Sequence, residues 1–346
     1  MAEPRILEED ISPTTYSTRK VGITAMPRPH LERILVTGAS GTLGYNIVQL
    51  LGKVHPETRI HLLQREPNPV LFNGLANVYS QQLDITNSKE VTQTVLDFQP
   101  NAIIHCAASG VRPSRIGWFD LIRLNVSATV ALFEASCEVD RCHFIHISTG
   151  LVYGEQDRPC REGDPIDTLH PYGASKAAAD CLLRAGAERL KRHLTVIRPF
   201  SFTGLHDGGD RLFPSLLRCA RNGEPFSMSA GTQIRDFCAV QDVAEAVSLI
   251  LEEGTLPGRD VFNIGSGQSI SLRGIVGSVC RQLGLDVELR LGEMPFHPYE
   301  PMNLVADIHL AESLGWKPKT NLAYAVWQLA QSQFPELQVN RPEEYR

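Results

Sequence analysis

Three glycines in one short stretch constrain the fold of this chain more than any other feature. The stretch Arg33 to Gly44 reads R-I-L-V-T-G-A-S-G-T-L-G. Its apolar start predicts a strand buried on both faces, and apolar residues at helical spacing from Leu43 onward predict a following helix. A turn with so few side chains leaves backbone N–H groups and the positive end of a helix dipole free to hold a pyrophosphate. The spacing G-x-x-G-x-x-G therefore favours a dinucleotide site, although an ordinary strand-to-helix turn also uses glycine.

Alternating strand and helix patterns continue as far as residue 200. Strands are predicted at residues 59–64, 76–84, 101–108, 141–149 and 194–199, with helical runs near 117–138 and 173–192. This alternation predicts a parallel sheet covered on both faces. Beyond Phe200, glycine and proline become frequent, and residues 261–264 predict one last strand that returns to the sheet. We expect an α/β fold: a doubly wound parallel sheet with a smaller, mixed α/β C-terminal lobe over the carboxyl edge of its strands.

The same changes in pattern predict how the chain is divided. Residues 1–30 are expected to be an N-terminal extension, since they lack the apolar core of a signal peptide or a membrane span. Residues 31–198 and 236–265 are expected to form the nucleotide-binding domain. Residues 199–235 and 266–335 are expected to form the substrate-binding lobe.

Composition excludes several other classes of protein. The 346 residues are 42% hydrophobic and 21% charged, as in an ordinary globular protein. The formal net charge of −6, without a long basic run, argues against binding to nucleic acid or to an anionic membrane surface. The eight cysteines form no C-x-x-C pair, which indicates free thiols in a reducing cytoplasm. His143 and His146 lie three apart on a predicted strand and face opposite sides, so we expect no metal site there.

The end of the second predicted strand bears on which dinucleotide binds. An NAD site usually has Asp or Glu at this place to bind the ribose hydroxyls, whereas this chain has Gln64 and Arg65. A guanidinium can pair with a 2′-phosphate, so NADP(H) is favoured and NAD(H) is possible. In the alternative, Arg65 is a solvated charge and Glu66 turns inward. Asp84, at the end of the third predicted strand, either accepts a hydrogen bond from the adenine amino group or begins a turn.

Tyr172 and Lys176 form the motif Y-x-x-x-K, which places both side chains on one face of a predicted helix. An ammonium beside the phenol, with the positive charge of an oxidised nicotinamide, is expected to lower the pKa of Tyr172 toward neutrality. The phenol would then serve as a general acid or base. Ser148 and Thr149 lie at the end of the fifth predicted strand, at the same sheet edge, where a hydroxyl can hold the reacting oxygen. On an exposed helix the motif would be an ordinary surface pair.

Seven motifs between Arg33 and Tyr324 together resemble the extended short-chain dehydrogenase/reductase family. They are G-A-S-G-T-L-G at 38–44, I-H-C-A-A at 104–108, N-V-S-A-T at 125–129, S-T-G-L-V-Y-G at 148–154, P-Y-G-A-S-K at 171–176, R-P-F at 198–200 and R-D-F-C-A-V-Q-D-V at 235–243. Within this family the chain is similar to the nucleotide-sugar epimerases, dehydratases and reductases. The resemblance implies a Rossmann-type fold and a catalytic set of Tyr172, Lys176 and Thr149, with Asn125 supporting Lys176 through water.

With this resemblance, we expect two groups of binding residues. The residues expected to contact the cofactor are Gly38, Ser40, Gly41, Thr42, Leu43, Gly44, Arg65, Asp84, Ile85, Ala107, Tyr172, Lys176 and Pro199. Those expected to contact the substrate are Ser109, Thr149 and Arg235, where Arg235 would meet the diphosphate of a sugar nucleotide. The stretch His297 to Glu300 lies where the family often has a loop over the substrate, or it is a plain turn. Arg112 and Arg115 face the cofactor phosphates, the substrate or solvent.

One departure from the family bears on the reaction. The sugar-nucleotide 4,6-dehydratases of this family carry Asp and Glu directly after the catalytic hydroxyl residue, to eliminate water. This chain has Gly150 and Leu151 at those places, neither of which can act as an acid or a base. A 4,6-dehydratase is therefore not expected.

Three hypotheses for the function remain. The leading one is an NADP(H)-dependent oxidoreductase that reduces a 4-keto sugar nucleotide, because a net reduction suits cytosolic NADPH. The alternative is a nucleotide-sugar 4-epimerase, which uses the same residues but retains its NAD(P) tightly and returns the hydride to the other face. A minor alternative is a non-catalytic cofactor-binding subunit, which would have no need of an intact Thr149, Tyr172 and Lys176.

A homodimer is expected through the helices at 117–138 and 173–192. Family members commonly build a four-helix interface there. In this chain these helices carry more apolar positions than one buried face needs: Leu121, Leu124, Val130, Leu132, Phe133, Leu182 and Leu183.

Overall fold

The computed structural model describes residues 31–110, 117–254 and 260–345. Two of the sequence-based expectations lie outside these residues. They are the N-terminal extension at residues 1–30 and the contacts of Arg112 and Arg115.

The described residues contain fourteen strands and ten α-helices. The strands are β1 (Arg33–Thr37), β2 (Arg59–Gln64), β3 (Val78–Gln82), β4 (Ala102–His105), β5 (His143–Ile147), β6 (His193–Pro199), β7 (Ser201–Thr203), β8 (Phe226–Met228), β9 (Ile234–Arg235), β10 (Phe237–Ala239), β11 (Val261–Ile264), β12 (Ile270–Ser271), β13 (Leu289–Leu291) and β14 (Asn303–Leu304). The helices are α1 (Thr42–Val54), α2 (Ser88–Phe98), α3 (Trp118–Leu121), α4 (Thr129–Cys137), α5 (Pro171–Leu190), α6 (Leu212–Asn222), α7 (Val240–Glu253), α8 (Leu272–Leu283), α9 (His309–Glu312) and α10 (Leu322–Gln333). A π-helical segment, Ile122–Ala128, joins α3 to α4.

Seven parallel strands form the central sheet in the order β11-β6-β5-β4-β1-β2-β3. The order reverses at β1, which pairs with β2 on one side and with β4 on the other. Connections leave in opposite directions at such a point, and a crevice opens at the carboxyl ends of the strands. The fold class and the returning strand at 261–264 are both confirmed.

Both faces of the sheet are apolar, and each is covered by helices. On β1, Ile34 and Val36 belong to a core that also holds residues of α1 and α7, whereas Leu35 belongs to the opposite core, which holds residues of α2, α4 and α5. A continuous apolar strand is what a doubly covered sheet requires, because alternate side chains enter different cores. This explains why the run I-L-V could be assigned to a buried strand from the sequence.

The C-terminal part of the chain has an apolar core of its own. Side chains of α6, α8 and α10 pack there with those of β8, including Phe213, Leu217, Val276 and Leu329. Small two- and three-stranded sheets, β10-β7, β12-β9-β14 and β13-β8, accompany these helices. The prediction of short, interleaved elements is confirmed, and the division at residues 198, 235 and 265 remains a prediction.

Several predicted elements have different bounds in the structure. The third and fourth strands are shorter than expected, since β3 ends at Gln82 and β4 ends at His105. The helical run at 117–138 is not one regular helix, because it widens into the π-helical segment. Helix α5 begins earlier than expected, at Pro171, because proline suits the first helical position.

Two chain-wide features complete the fold. All eight cysteines lie in the described residues and carry free thiols. Among the helices that the structure describes, none combines the length and the apolar character needed to cross a bilayer.

Asp242 on α7 fixes the segment that leads into α10. Its carboxylate accepts hydrogen bonds from the Thr320 hydroxyl at 2.6 Å, from the Thr320 N–H at 3.0 Å and from the Lys319 N–H at 3.1 Å. We expect Asp242→Ala to lower the free energy of unfolding by about 3 kcal/mol, because these buried donors lose a charged acceptor. Glu245→Ala is the matched control on the same helix, since it removes only the exposed ion pair with Lys319 and should cost under about 1 kcal/mol. Urea titrations of both variants test this, and equal losses would contradict it.

Candidate active site

The glycine turn brings helix α1 very close to the sheet. Gly38 has a φ of +71°, and a Cβ there would lie 2.5 Å from the backbone nitrogen of Ala107. A Cβ at Gly44 would collide with the carbonyl oxygen of Gly38. Gly41 caps α1 with extended backbone, and no side chain caps the first turn of the helix. The turn therefore presents backbone N–H groups that an anionic ligand can use.

A cleft of about 720 Å³ opens at the carboxyl edge of the sheet, above this turn. Its sheet side is formed by the glycine turn, by Ser148 and Thr149 after β5, and by Pro199 at the end of β6. Its lobe side includes Arg211, Arg235 and Glu300. Tyr172, in the first turn of α5, also lines the cleft. The structure thus brings the predicted cofactor turn and two of the predicted catalytic residues, Thr149 and Tyr172, to one cavity.

The environment of Tyr172 differs from the one expected from the sequence. Burial raises the pKa of Tyr172 to about 12, against a lowering by Arg211, and Asp180 raises it further. In this environment burial outweighs the cation Arg211. The expected lowering of this pKa toward neutrality, which also depends on the positive charge of an oxidised nicotinamide, remains a prediction. Thr149, which follows β5, has a defined hydrogen bond: its hydroxyl accepts from the Leu151 N–H at 3.2 Å. Thr149 is therefore held in place at the cleft wall.

Lys176 lies one helical turn beyond Tyr172 and is completely buried. Burial lowers the pKa of Lys176 to about 8, while Asp180 and Cys106 act in the opposite direction. Its Nζ has no hydrogen-bond partner among the described residues. A buried ammonium without a partner is costly, so this atom is suited to receive the hydroxyl groups of a ligand.

Asn125 connects three segments behind the cleft. It lies in the π-helical segment, where its Oδ1 accepts a hydrogen bond from the Ser109 N–H at 2.9 Å and its Nδ2 donates to the Ser109 carbonyl at 2.8 Å. The same Nδ2 donates to the Ser175 hydroxyl at 2.9 Å. Asn125 therefore ties the loop after β4 to helix α5. The expected support of Lys176 through water remains a prediction.

The lobe wall of the cleft carries a charged pair. Arg235 donates a hydrogen bond from Nη2 to the Glu300 carboxylate at 2.6 Å and from Nη1 to the Ile234 carbonyl at 2.8 Å. Burial lowers the pKa of Arg235, and Glu300 opposes this. His297 stacks on His170 with ring centroids 5.8 Å apart. The stretch from His297 to Glu300 thus reaches the cleft, which favours the loop over the plain turn.

The end of β2 does not support the expected NADP(H) preference. Arg65 has 78% of its side chain exposed, and its Nε lies 3.9 Å from the Glu66 carboxylate, which would repel a 2′-phosphate. The amide of Gln64 is buried, and neither its nitrogen nor its oxygen has a partner among the described residues. Asp84 accepts two hydrogen bonds from Thr86 and begins a turn, as the alternative interpretation held. The Thr86 N–H is the main cause of the lowered pKa of Asp84.

The loop 204–211, which we call the latch, joins the lobe to the glycine turn. His206 Nε2 lies 3.0 Å from the Ser40 carbonyl, and the Thr42 hydroxyl donates to the Asp207 carboxylate at 3.3 Å. Asn46 donates to the Leu205 carbonyl at 2.7 Å. The imidazole of His206 also stacks on the ring of Tyr45, with centroids 4.3 Å apart. These contacts hold the lobe against the site where a dinucleotide phosphate would lie.

Sequence reasoning placed some residues at the site that do not line the cleft, and it missed others. The expected contacts outside the lining are Ser40, Arg65, Asp84, Ile85, Ala107, Ser109, Asn125 and Lys176. Among the residues missed are His170 and Arg211, which line the cleft, and His206 and Asp207 of the latch. His170 could have been found, because it lies two residues before Tyr172, whereas the latch residues carry no signal before the chain is folded. No group of three or more His, Cys, Asp or Glu residues suited to a metal ion occurs in the described ranges.

A sequence profile of the NAD dependent epimerase/dehydratase family matches residues 34–265. The chain belongs to this family of enzymes. One relative is a trifunctional UDP-glucose 4,6-dehydratase/UDP-4-keto-6-deoxy-D-glucose 3,5-epimerase/UDP-4-keto-L-rhamnose-reductase of Arabidopsis thaliana. The two sequences are 26% identical over 306 residues, and the aligned region covers 84% of this chain and 45% of that protein. The chain therefore spans less than half of that relative.

Two solved structures have the same fold over almost their whole length. One is UDP-glucuronic acid 4-epimerase from Bacillus cereus in complex with UDP-glucuronic acid and NAD, with a TM-score of 0.78, 26% identity and coverage of 86% of this chain and 97% of that one. The other is MoeE5 in complex with UDP-glucuronic acid and NAD, with a TM-score of 0.78 and 29% identity. The match covers 88% of this chain and 100% of the MoeE5 chain.

The described residues fit a nicotinamide dinucleotide. The cradle at Gly38 and Gly44 would be filled by any side chain, so it admits a phosphate close to the backbone. The buried, unpartnered groups of Lys176 and Gln64 supply further polar contacts. On this basis the glycine turn would hold the pyrophosphate of the dinucleotide. Lys176 would bind the hydroxyl groups of the nicotinamide ribose.

Gly44→Ala tests the close approach in the cradle. The added methyl group collides with the Gly38 backbone, so we expect a loss of about 1–3 kcal/mol of stability together with loss of dinucleotide binding. Gly163→Ala is the control, because a Cβ there meets no atom within 4 Å. Thermal unfolding and calorimetric titration with NAD check both variants. Unchanged dinucleotide affinity in Gly44→Ala would contradict the cradle.

Proposed function

We propose that this protein is a nucleotide-sugar 4-epimerase that acts on a UDP-sugar with a retained NAD. The observation that carries the proposal is the latch, which joins the lobe to the glycine turn and lines the same cleft as Thr149 and Tyr172. An epimerase must keep its dinucleotide through the whole reaction, because the hydride removed from the sugar is returned to it. A reductase that exchanges its dinucleotide in every turnover has no use for such contacts.

The similarity to known proteins supports the same choice. The Bacillus cereus 4-epimerase and MoeE5 are described with UDP-glucuronic acid and NAD. This similarity favours the epimerase over the 4-keto reductase as the reaction, and NAD over NADP(H) as the cofactor. The exposed Arg65 beside Glu66 points the same way. Gly150 and Leu151 continue to argue against 4,6-dehydration.

Each site residue has a distinct task in this proposal. A nicotinamide dinucleotide supplies the hydride acceptor and donor when it is bound. Tyr172 takes the proton of the C4 hydroxyl as the hydride leaves C4, and it returns a proton when the hydride comes back to the opposite face. Thr149 holds the same oxygen by a hydrogen bond. Arg235, with Glu300 beside it, meets the diphosphate of the substrate.

The direct test uses purified protein, NAD and either UDP-glucose or UDP-glucuronic acid. Proton NMR should show the 4-epimer of at least one of these two UDP-sugars. Absorbance at the NADH band should show no net reduction of NAD to NADH. A control with a 4-keto sugar nucleotide and NADPH should consume no stoichiometric NADPH. The reductase would be indicated instead by NADPH consumption without any epimer.

Substitutions at Tyr172 and Thr149 should separate their two tasks. Tyr172→Phe keeps the ring and its packing but removes the group that moves the proton, so turnover should fall by about 10²–10⁴. Thr149→Val keeps the volume and removes one hydroxyl, so turnover should fall by about 10–10³. Both variants should bind NAD nearly as the wild type does. A Tyr172→Phe variant with more than about a tenth of wild-type turnover would exclude Tyr172 as the acid or base.

A homodimer is part of this proposal, with a corrected interface. Leu121, Leu132, Phe133 and Leu183 are buried within the chain's own core, so they are not available to a partner. The exposed apolar side chains on the same helices are Trp118, Phe119, Ile122 and Leu182, which are 77%, 77%, 52% and 53% exposed. Apolar side chains grouped on neighbouring helices favour association with a second copy.

Light scattering tests the dimer. The wild type should have a mass in solution of about twice the chain mass of 38.3 kDa. Leu182→Glu should lower the measured mass toward that of the monomer, because it would bury a charge in the interface. Val54→Glu is the control, since Val54 is 50% exposed on α1, away from these helices. A wild type that is monomeric at micromolar concentration would contradict the proposal.

A further inference from the structure

The face of α5 that points into the protein carries three chemical groups at intervals of one helical turn. They are the phenol of Tyr172, the ammonium of Lys176 and the carboxylate of Asp180. Side chains four residues apart on a helix are neighbours, so Asp180 lies next to Lys176 on the side away from Tyr172. Lys176 and Asp180 are both completely buried. The carboxylate has no part in the steps assigned to Tyr172 and Thr149.

Asp180 is held in place by a hydrogen bond from one strand of the central sheet and lies close to a second strand. Arg198 on β6 is 1% exposed and donates a hydrogen bond from Nε to Oδ2 of Asp180 at 3.1 Å. His146 on β5 has its Nε2 3.5 Å from Oδ1 of Asp180. Arg198 is in turn fixed by the Tyr153 hydroxyl, to which it donates at 2.8 Å. The carboxylate is therefore fixed beside Arg198, whose positive charge favours the ionised form. Burial raises the pKa of Asp180, and Arg198 and Lys176 lower it.

The other titratable groups around Lys176 are neutral or cationic near pH 7. Besides Asp180, they are His105, Cys106, His146, Tyr172 and Arg198. Burial lowers the pKa of His105 to about 3 and raises the pKa of Cys106 to about 12. Burial also lowers the pKa of His146 and raises that of Tyr172. Among the described residues, this leaves Asp180 as the anion that faces Lys176.

We propose that Asp180 is a positioning residue for the proposed reaction: anchored by Arg198, its carboxylate is the counter-charge that keeps the buried Lys176 in its ammonium form behind Tyr172. Burial alone favours the neutral amine, which would leave the active site without its cation. Asp180 opposes burial in setting the pKa of Lys176, and it also raises the pKa of Tyr172. Asp180 thus raises the pKa of both Lys176 and Tyr172. Asp180 therefore sets the pH range in which the pair Tyr172–Lys176 works.

The titration of Lys176 tests this directly and needs no substrate. The sequence has seven lysines, so protein labelled with ¹³C at lysine Cε gives few signals, and the signal of Lys176 is the one lost in Lys176→Met. In the wild type it should titrate near pH 8. In Asp180→Asn the midpoint should fall by about one pH unit or more, because the negative charge is gone. In Asp180→Glu, which keeps the charge, it should stay near the wild-type value.

Asp260→Asn is the matched control. Asp260 accepts a hydrogen bond at 2.7 Å from Arg184, which lies on α5 one turn beyond Asp180, but this pair is exposed. Removing it should leave the titration of Lys176 unchanged, because solvent screens the pair. A midpoint in Asp180→Asn within about 0.3 pH units of the wild type would overturn the proposal. A wild-type Lys176 that is already neutral at pH 7 would overturn it without any variant.

Asp180→Asn leaves Arg198 buried without its partner and can fail to fold. The double variant Asp180→Asn/Arg198→Met then decides, because removing both charges of a buried pair is often nearly neutral for stability. A fall in the Lys176 midpoint is again expected, and it should be smaller than in Asp180→Asn because the Arg198 cation is removed as well. The dependence of kcat on pH adds a functional readout, in which both limbs should move to lower pH in the variants. A uniform loss of kcat at every pH would indicate a purely structural role and overturn the proposal.

Discussion

The close approach between the first helix and the first strand determines where the rest of the site lies. Gly44 rests directly on the backbone of Gly38, and Gly38 rests on the backbone of Ala107 after β4. With any side chain at these positions, α1 would move outward and the N–H groups of its first turn would leave the crevice. The latch depends on the same geometry, because its partners Ser40, Thr42 and Asn46 all belong to this turn and helix.

The second organising feature is charge buried along α5. The sheet places Arg198 and His146 beneath this helix, and the helix places Asp180, Lys176 and Tyr172 in line toward the cleft. Burial acts on every member of the line, so no side chain has the pKa that its type would have in water. The phenol and the ammonium therefore cannot be understood as an isolated pair. In the proposed mechanism, the network behind them helps to set how both groups titrate.

Local patterns in the sequence predicted the central fold and part of the site. The run I-L-V, the glycine spacing and the alternation of strands with helices led to the doubly wound sheet, and Y-x-x-x-K led to the residues of the cleft wall. Contacts between distant segments could not be predicted in this way. The latch depends on a loop more than 160 residues from the glycine turn, and the pKa of Tyr172 depends on burial that no motif reports. The expected preference for NADP(H) is not supported, and the exposure of Arg65, which bears on it, is likewise a tertiary property.

The central claim is that hydride leaves the sugar and returns to it within one binding event. A UDP-sugar with deuterium at C4 tests this most directly, when it is incubated with the protein and unlabelled NAD and the products are read by NMR and mass spectrometry. We expect a 4-epimer that keeps its deuterium at C4, with no labelled NADH released into solution. Loss of the deuterium from the epimer, or labelled NADH in solution in step with a 4-keto product, would contradict the claim.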